Sequence, residues 1–241
     1  MSSTIDGVDT LIFDAGGVLL RPSVPAVRNV LERFGRADRA GEIPKMLAEM
    51  VRVSASLDEP GLFWTNQRNE YFAAWADLPM RVASEVWAAL ASGGPSALPP
   101  LWSNPPKFAA RTLQQLRQDG FRLAVLSNSD GTLRKILQTI GLADYFDLIV
   151  DSKEAGVAKP DRAAFEYCLK ELGTQGHSVA FIGDDLHHDM SAARKAGVDI
   201  TVLYDEHRLH QTLPDEATFV VNSFETLAGI FQKRSEGQCE Y

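Results

Sequence analysis

Three aspartates and one lysine in this chain have the residue types and surroundings of catalytic groups: Asp14, Asp184, Asp189 and Lys159. Asp14 ends an apolar run and precedes two glycines, and a carboxylate held at a strand end can attack phosphorus as a nucleophile. Asp184, Asp185 and Asp189 form an acidic turn. One of these carboxylates could cap a helix near Leu186 to Met190, but three clustered carboxylates repel one another unless a cation offsets their charge, and a site of hard oxygen ligands suits Mg²⁺. Each residue also has a structural interpretation, because aspartates cap turns and helices, and lysine commonly precedes a helix that starts with proline.

Short apolar runs alternate with helical patterns along most of the chain, and glycine follows each helical pattern where a helix is expected to stop. This alternation predicts an α/β fold with a doubly wound parallel sheet. The predicted strands are Thr10–Phe13, Phe121–Leu126, Leu148–Val150, Val179–Ile182 and Ile200–Leu203, and the predicted helices are Phe108–Gln118, Leu133–Ile140, Ala163–Leu172 and Ser191–Ala196.

Ligands of doubly wound sheets bind beyond the carboxyl ends of the strands. Asp14, Asp184 and the pair Ser127 and Asn128 all stand at such ends. We therefore expect these residues to share one site if their strands are neighbours. The Ser127 hydroxyl and nearby backbone donors would suit a phosphate oxygen, although a polar strand exit is also common.

Residues 22–103 interrupt the alternation with helical patterns and no convincing strand. We interpret this segment as an inserted, all-helical cap domain. A linker containing Gly93, Gly94 and Pro95 is expected to lead back to the core. The predicted core domain then consists of residues 1–21 and 104–241.

Four ordered motifs resemble those of the haloacid dehalogenase superfamily. They are Phe13-Asp14-Ala15-Gly16-Gly17-Val18-Leu19, then Leu126-Ser127-Asn128, then Lys159-Pro160, and finally Gly183-Asp184 with Asp189 and the segment Ala193–Gly197 behind it. The resemblance covers roughly residues 8–20 and 104–225, and the helical insertion stands where that family places its cap.

The resemblance implies a Rossmann-like core and a Mg²⁺-dependent hydrolase of a small phosphorylated metabolite. By this resemblance Asp14 is the nucleophile and Lys159 stabilises the charge that develops on the phosphoryl group. Substrate binding falls to Ser127, Asn128 and Lys159. The implied metal ligands are Asp14, the backbone carbonyl of Gly16, Asp184 and Asp189.

Gly16 departs from the family pattern, because phosphatases of the family carry an acid/base aspartate two residues after the nucleophile. General acid/base help is worth about 100- to 10,000-fold in rate. Its loss matters most for alkyl phosphates, whose leaving groups need the proton, and less for acyl and aryl phosphates. A substitute acid from the cap or from His187 and His188 is another way to restore activity, although the two histidines are interpreted as a surface pair.

Three alternatives to the phosphohydrolase remain open. A catalytically impaired module would bind metal and phosphate without turnover, as Gly16 suggests. A haloacid dehalogenase needs no metal, which the acidic pair Asp184 and Asp189 disfavours. A phosphonoacetaldehyde hydrolase uses a cap lysine, and Lys45 is the only lysine before residue 107.

Composition narrows the class of partner. A formal net charge of -8 disfavours non-specific nucleic-acid binding, which relies on excess Lys and Arg. No apolar run is long enough to span a membrane, no signal-like N-terminus is evident, and the two cysteines form no disulfide framework. We expect a cytoplasmic protein with a small-molecule substrate, whereas the sequence does not indicate an oligomeric state.

Overall fold

The computed structural model describes residue 5 and residues 7–57, 67–91 and 102–231. Within these residues a six-stranded parallel sheet has the strand order β5-β4-β1-β6-β7-β8. The strands are β1 (Thr10–Phe13), β4 (Arg122–Ser127), β5 (Leu148–Asp151), β6 (Val179–Gly183), β7 (Ile200–Tyr204) and β8 (Phe219–Val221). The predicted α/β class is confirmed. The short strand β8 was not predicted.

Both faces of the sheet are covered, because successive side chains of a strand point to opposite faces. Leu11 and Phe13 of β1 belong to one buried cluster, and Ile12 between them belongs to another. The helices on the first face are α5 (Ala109–Gln118), α6 (Leu133–Thr139) and α10 (Phe224–Ile230), and those on the second face are α8 (Arg162–Leu172) and α9 (Ala192–Lys195). One short helix, α7 (Ser152–Ala155), follows β5 directly.

The inserted segment is helical in its described part and has an apolar cluster of its own. Its helices are α1 (Val24–Glu32), α2 (Ile43–Ala55), α3 (Arg68–Ala76) and α4 (Met80–Ala91). Leu31, Ile43, Met50 and Phe72 are among the fully buried members of this cluster. The linker predicted at Gly93–Pro95 lies outside the described residues.

A two-stranded antiparallel ribbon joins the insertion to the sheet-containing part of the chain. Its strands are β2 (Arg21–Pro22) and β3 (Trp102–Asn104), and Arg21 pairs with Asn104. The prediction of no strand in residues 22–103 was therefore wrong at both ends of that segment. Strands of two or three residues are too short to show the period-two pattern on which such predictions rest.

Strand order determines which loops meet. Because β1 lies between β4 and β6, the residues that follow these three strands come together at one edge of the sheet. Phe13 is level with Val125 on one side and with Ile182 on the other. The turns after Phe13, Ser127 and Gly183 therefore surround one small volume.

Candidate active site

Asp14 is the first residue after β1 and is held rigidly there. Its backbone N–H donates to the Ile182 carbonyl at 2.8 Å, and the Ala15 N–H donates to Asp14 Oδ1 at 2.7 Å. The side chain is largely buried. Among the described residues no hydrogen-bond donor reaches Oδ2, so one carboxylate oxygen is fixed and the other remains available for chemistry.

Lys159 lies against this carboxylate although it is 145 residues further along the chain. Its Nζ is 2.9 Å from Asp14 Oδ1 and 2.6 Å from Asp189 Oδ1, and the lysine is only 5% exposed. Burial alone would lower the pKa of Lys159, but the Asp14 and Asp189 carboxylates outweigh this effect and raise it. The ammonium therefore stays charged at neutral pH.

Asn128 positions Lys159 through the backbone of that residue. The Asn128 Oδ1 accepts from the Lys159 N–H at 2.9 Å, and its Nδ2 donates to the Lys159 carbonyl at 2.7 Å. Ser127, the last residue of β4, is buried, and no hydrogen bond between described residues connects its hydroxyl to the acidic residues. Positioning of Lys159 by Asn128 was not foreseen, because no local pattern links residues 128 and 159.

The acidic turn after β6 divides its tasks among three aspartates. Asp189 Oδ2 accepts from the backbone N–H groups of Asp184 and Asp185, each at 3.1 Å, and so fixes the turn. Asp185 caps the helical turn Leu186–Ser191 by accepting from the backbone N–H groups of His187 and His188. The capping interpretation is thus borne out for Asp185, whereas Asp184 makes no such contact.

The two histidines of this turn, which were interpreted as a surface pair, are partly exposed. His188 Nδ1 lies 3.0 Å from Asp185 Oδ2. Burial would lower the pKa of His188, but this contact raises it, while burial and the neighbouring His188 lower the pKa of His187. The contact between His188 and Asp185 therefore orients the His188 ring within the turn.

Two glycines allow the acidic side chains to approach the backbone closely. A Cβ atom on Gly17 would overlap the Asp184 carboxylate, and Gly17 also has a φ of +73°. A Cβ atom on Gly183 would overlap Asp189. Gly16 differs from both, since a Cβ atom there would meet no atom within 4 Å.

Asp14, Asp184 and Asp189 form a group that could hold a metal ion, because each offers an oxygen and these oxygens lie within 4.8 Å of one another. One lysine cannot neutralise three carboxylates, and within the described residues Asp184 has no ion-pair partner. Desolvation raises the pKa of Asp184 well above its ordinary value, and Asp189 and Asp14 add to the effect. Burial likewise raises the pKa of Asp189 to about 7. A bound cation would relieve this repulsion.

The backbone around Gly16 agrees with such a site. The Ala15 carbonyl accepts from the N–H groups of Leu19 and Leu20, and the Gly17 N–H donates to the Leu20 carbonyl. Among the described residues, no backbone hydrogen bond occupies the Gly16 carbonyl. A carbonyl without a backbone hydrogen bond, two residues after Asp14, is a type of oxygen ligand that hard divalent cations accept.

No helix in the described residues combines the length and the apolar character needed to cross a membrane.

Comparison with known proteins gives one family and several partial relatives. The family model for haloacid dehalogenase-like hydrolase matches residues 8–197. The ribulose-1,5-bisphosphate 5-phosphatase of Halopiger xanaduensis is 35% identical over 98 residues, which are 40% of this chain and 41% of that protein. The pyrimidine 5'-nucleotidase YjjG of Escherichia coli is 33% identical over 114 residues, 46% of this chain and 50% of that protein. The chain thus spans about half the length of these curated relatives or less.

Solved structures share the fold over nearly the whole chain. A dehalogenase crystallised as an intermediate complex superposes with a TM-score of 0.65 at 19% identity, covering 95% of this chain and 100% of that one. A phosphatase from Thermococcus onnurineus superposes with a TM-score of 0.56 at 20% identity, covering 91% and 96%. At such low identity the likeness concerns the fold alone.

Proposed function

The chain belongs to the haloacid dehalogenase-like hydrolases, and from this premise we propose that it is a Mg²⁺-dependent phosphohydrolase acting on a small phosphorylated metabolite through an aspartyl-phosphate on Asp14. The phosphatase names of several partial relatives support the choice of phosphate esters over other hydrolase substrates. We also propose that residues 22–103 act as the cap domain and residues 1–21 and 104–241 as the core.

The contact between Lys159 and Asp14 is the observation that carries this proposal. A buried ammonium within 2.9 Å of the nucleophile candidate lies where negative charge accumulates on a phosphoryl group during transfer. The second contact, to Asp189 at 2.6 Å, fixes the ammonium at this position. Asn128 restrains the lysine backbone, so the group is preorganised before substrate arrives.

In the first step, an Asp14 carboxylate oxygen forms a bond to phosphorus while the bond between phosphorus and the leaving oxygen breaks. Lys159 keeps the other oxygen of Asp14 oriented and offers its positive charge to the phosphoryl oxygens. In the second step, water breaks the acyl-phosphate bond, which releases inorganic phosphate and restores the Asp14 carboxylate. Splitting the displacement in this way replaces one difficult step by two easier ones.

The residues that would hold Mg²⁺ directly are Asp14, Asp184 and the Gly16 carbonyl, with Asp189 as the supporting carboxylate. Both oxygens of Asp189 already accept hydrogen bonds or contact Lys159, so it supplies charge and orients the turn, while Asp184 faces the site without a cationic partner. When bound, the ion would screen the negative charges of the carboxylates and the phosphate from one another.

Asp14→Asn tests the nucleophile. We expect this variant to lose at least about 1,000-fold of the activity towards an activated aryl phosphate, because an amide cannot replace the attacking carboxylate. Asp144→Asn is the matched control, since Asp144 is an exposed aspartate on the loop after α6. Circular dichroism should show both variants folded. Full activity of Asp14→Asn would contradict the proposal.

A second candidate follows from Gly16, which removes the side chain that family phosphatases use for proton transfer. The chain would then be a module that binds metal and phosphate without turning substrate over. Calorimetric titration of Mg²⁺ and a phosphate mimic, run beside a hydrolysis screen, separates the two candidates. Binding without any Asp14-dependent turnover favours the module. Halide release in the presence of a chelator would instead indicate metal-free dehalogenation.

A further inference from the structure

A pocket opens beside Asp184 between the inserted helices and the sheet. Its described walls come from α2, from the ribbon β2–β3 and from the segment that follows β7. Gly17 and Asp184 form its inner end, so the pocket is continuous with the acidic site. A group bound here would lie next to the phosphoryl position.

Helix α2 presents apolar side chains on two different faces. Ile43 and Met50 pack into the cluster of the inserted helices, as a core-facing stripe must. Pro44, Ala48 and Val51 lie outside that cluster, are half-buried and line the pocket instead. The second apolar face is therefore not needed to hold the helices together. It gives the pocket an apolar wall, which Leu47 completes.

An aromatic side chain and an apolar one face the pocket from other elements. Trp102 on β3 and Leu209 after β7 both line it. Pockets that bind small molecules are commonly walled by apolar and aromatic groups with a few polar groups at defined places. Polar side chains, namely Arg52, Asp205, Glu206, His207 and His210, also line the pocket. The lining therefore combines the apolar groups of α2 and β3 with polar groups of the segment after β7, which suits a ligand with an apolar body and a polar substituent.

Two buried polar atoms of the pocket lining have no hydrogen-bond partner among the described residues. They are Arg21 Nε and the hydroxyl of Tyr204, a residue only 2% exposed. The Arg21 guanidinium already pairs with Glu206 through its terminal nitrogen. Burial and the Glu206 carboxylate raise the pKa of Tyr204, whereas a contact between its hydroxyl and Arg21 lowers it. Because Arg21 and the Tyr204 hydroxyl interact with each other, the hydroxyl hydrogen of Tyr204 is the donor that is left without an acceptor among the described residues.

Gly16 restricts the same ligand from the chemical side, since it supplies no proton to the leaving oxygen. The pKa of a phenol is about 10, whereas the pKa of an aliphatic alcohol is close to that of water, about 15.7. An aryloxide can therefore leave without a general acid, and an alkoxide cannot leave easily. An aromatic ring also suits the apolar side chains that α2 and Trp102 contribute to the pocket.

Resting on the proposed phosphohydrolase function, we propose that this pocket binds the leaving group and that the substrate is the phosphate monoester of an aromatic alcohol whose ring carries a hydrogen-bond acceptor. The apolar face of α2 covers the ring, and the Tyr204 hydroxyl donates to the acceptor. The aryloxide departs with the electron pair of its bond to phosphorus, Asp14 takes the phosphoryl group, and solvent protonates the aryloxide.

Hydrolysis rates of matched esters test the substrate class. The leaving-group argument predicts that kcat/KM for phenyl phosphate exceeds that for ethyl phosphate by about 100-fold or more. Acetyl phosphate needs no general acid either, so the higher kcat/KM that we expect for phenyl phosphate over acetyl phosphate must come from binding of the ring in the pocket. An equal or higher value for ethyl or acetyl phosphate would overturn the inference while leaving the proposed function in place. Absence of Asp14-dependent hydrolysis of all three would instead overturn the proposed function itself.

Filling the pocket tests where the ring binds. Ala48→Phe should raise KM for phenyl phosphate and lower the ratio of kcat/KM for phenyl over acetyl phosphate by about 10-fold or more, because the ring loses its space. Lys45→Phe is the matched control on the same helix, since Lys45 is exposed and does not line the pocket. Melting curves check that both variants fold. An unchanged ratio in Ala48→Phe would contradict the inference.

Removing the Tyr204 hydroxyl tests whether it donates a hydrogen bond to the substituent on the ring. Tyr204→Phe should lower kcat/KM for 3- or 4-methoxyphenyl phosphate by about 3- to 10-fold relative to phenyl phosphate, because one neutral hydrogen bond is lost. The loss should fall on KM more than on kcat, which a merely structural defect would not produce. An equal loss for the methoxy and the unsubstituted esters would overturn the role of Tyr204.

Discussion

Gly16 and Gly17 follow the nucleophile candidate side by side, yet their surroundings differ. Gly17 has a positive φ and lies against the Asp184 carboxylate, so its missing side chain is a structural requirement. Gly16 has open space around its Cβ position and an ordinary φ. The absence of an acid/base carboxylate at residue 16 is therefore not imposed by packing.

Gly16→Asp should raise the turnover of alkyl phosphates by about 100-fold or more, because a carboxyl group can then protonate the leaving oxygen. A Cβ atom at residue 16 would meet no described atom within 4 Å, so packing does not oppose the first atom of the new side chain. Steady-state kinetics with ethyl phosphate measure the gain, and Gly16→Asn is the control because it adds similar volume without an acid. A gain of equal size in Gly16→Asn would contradict the acid/base interpretation.

Gly17→Ala should destabilise the fold by about 1–3 kcal/mol, because its methyl group would overlap Asp184 at a positive φ. Gly16→Ala provides the matched control one residue away and should change the free energy of unfolding by less than about 0.5 kcal/mol. Urea denaturation of both variants gives the comparison. Similar stabilities for the two would mean that the turn adjusts and that Gly17 is not required.

At the scale of elements, the helices that cover the sheet bury side chains that lie away from the acidic site. Helix α8 begins at Arg162, where Asp161 caps it by accepting from the Ala163 N–H at 2.9 Å. The helix then places Cys168 against the sheet in the same cluster as Phe181. Burial raises the pKa of the Cys168 thiol to about 12. Cys168 is therefore a structural, buried cysteine rather than a reactive one.

Cys168 should therefore resist thiol reagents in the folded protein. Moving the pKa from 9.0 to about 12 lowers the thiolate fraction at pH 8 by about 1,000-fold. Iodoacetamide labelling of a Cys239→Ser variant, with and without urea, measures the protection. Because the pKa of the Cys168 thiol is higher in the folded state, this group also makes the free energy of unfolding depend on pH. Its contribution is constant below about pH 9, and the free energy of unfolding falls as the pH rises from 9 towards 12. Rapid labelling without urea would contradict burial of the thiol.

At the scale of the whole molecule, the acidic site concentrates negative charge in a protein that is already acidic. The chain has a formal net charge of -8, and the site gathers Asp14, Asp184 and Asp189 around a single lysine. Mutual repulsion and desolvation make this arrangement costly in the absence of a cation. A cation bound at the site is therefore expected to stabilise the entire fold, because it binds only the folded chain.

Mg²⁺ should raise the melting temperature, and at about 100 times its Kd it should stabilise the fold by about 2.7 kcal/mol. Asp184→Asn should abolish this response and yet melt higher than the natural chain in EDTA, because it removes a half-buried carboxylate that is repelled by Asp14 and Asp189 and has no ion-pair partner among the described residues. Thermal melts of both proteins in EDTA and in Mg²⁺ measure this reversal, and Asp144→Asn is the control. An identical Mg²⁺ response in Asp184→Asn would remove Asp184 from the site.

The sequence by itself determined the local features of this protein. The apolar runs specify β1 and β4–β7 to within about a residue at each end, because a buried parallel strand must be apolar on both faces. Local chemistry also places Asp14, Ser127 and Asp184 at strand ends. The order of motifs identified the family, which requires no knowledge of distances.

Only the tertiary structure decided how these residues meet. The fold brings Lys159 into contact with Asp14 and Asp189. It brings the Asn128 side chain to the backbone of Lys159. It also places the second apolar face of α2 in the pocket that Asp184 lines. Each of these contacts joins residues that are separated by at least 30 positions in the sequence. Side-chain type and spacing fix local conformation, whereas such contacts arise from packing of the whole chain, which no local pattern records.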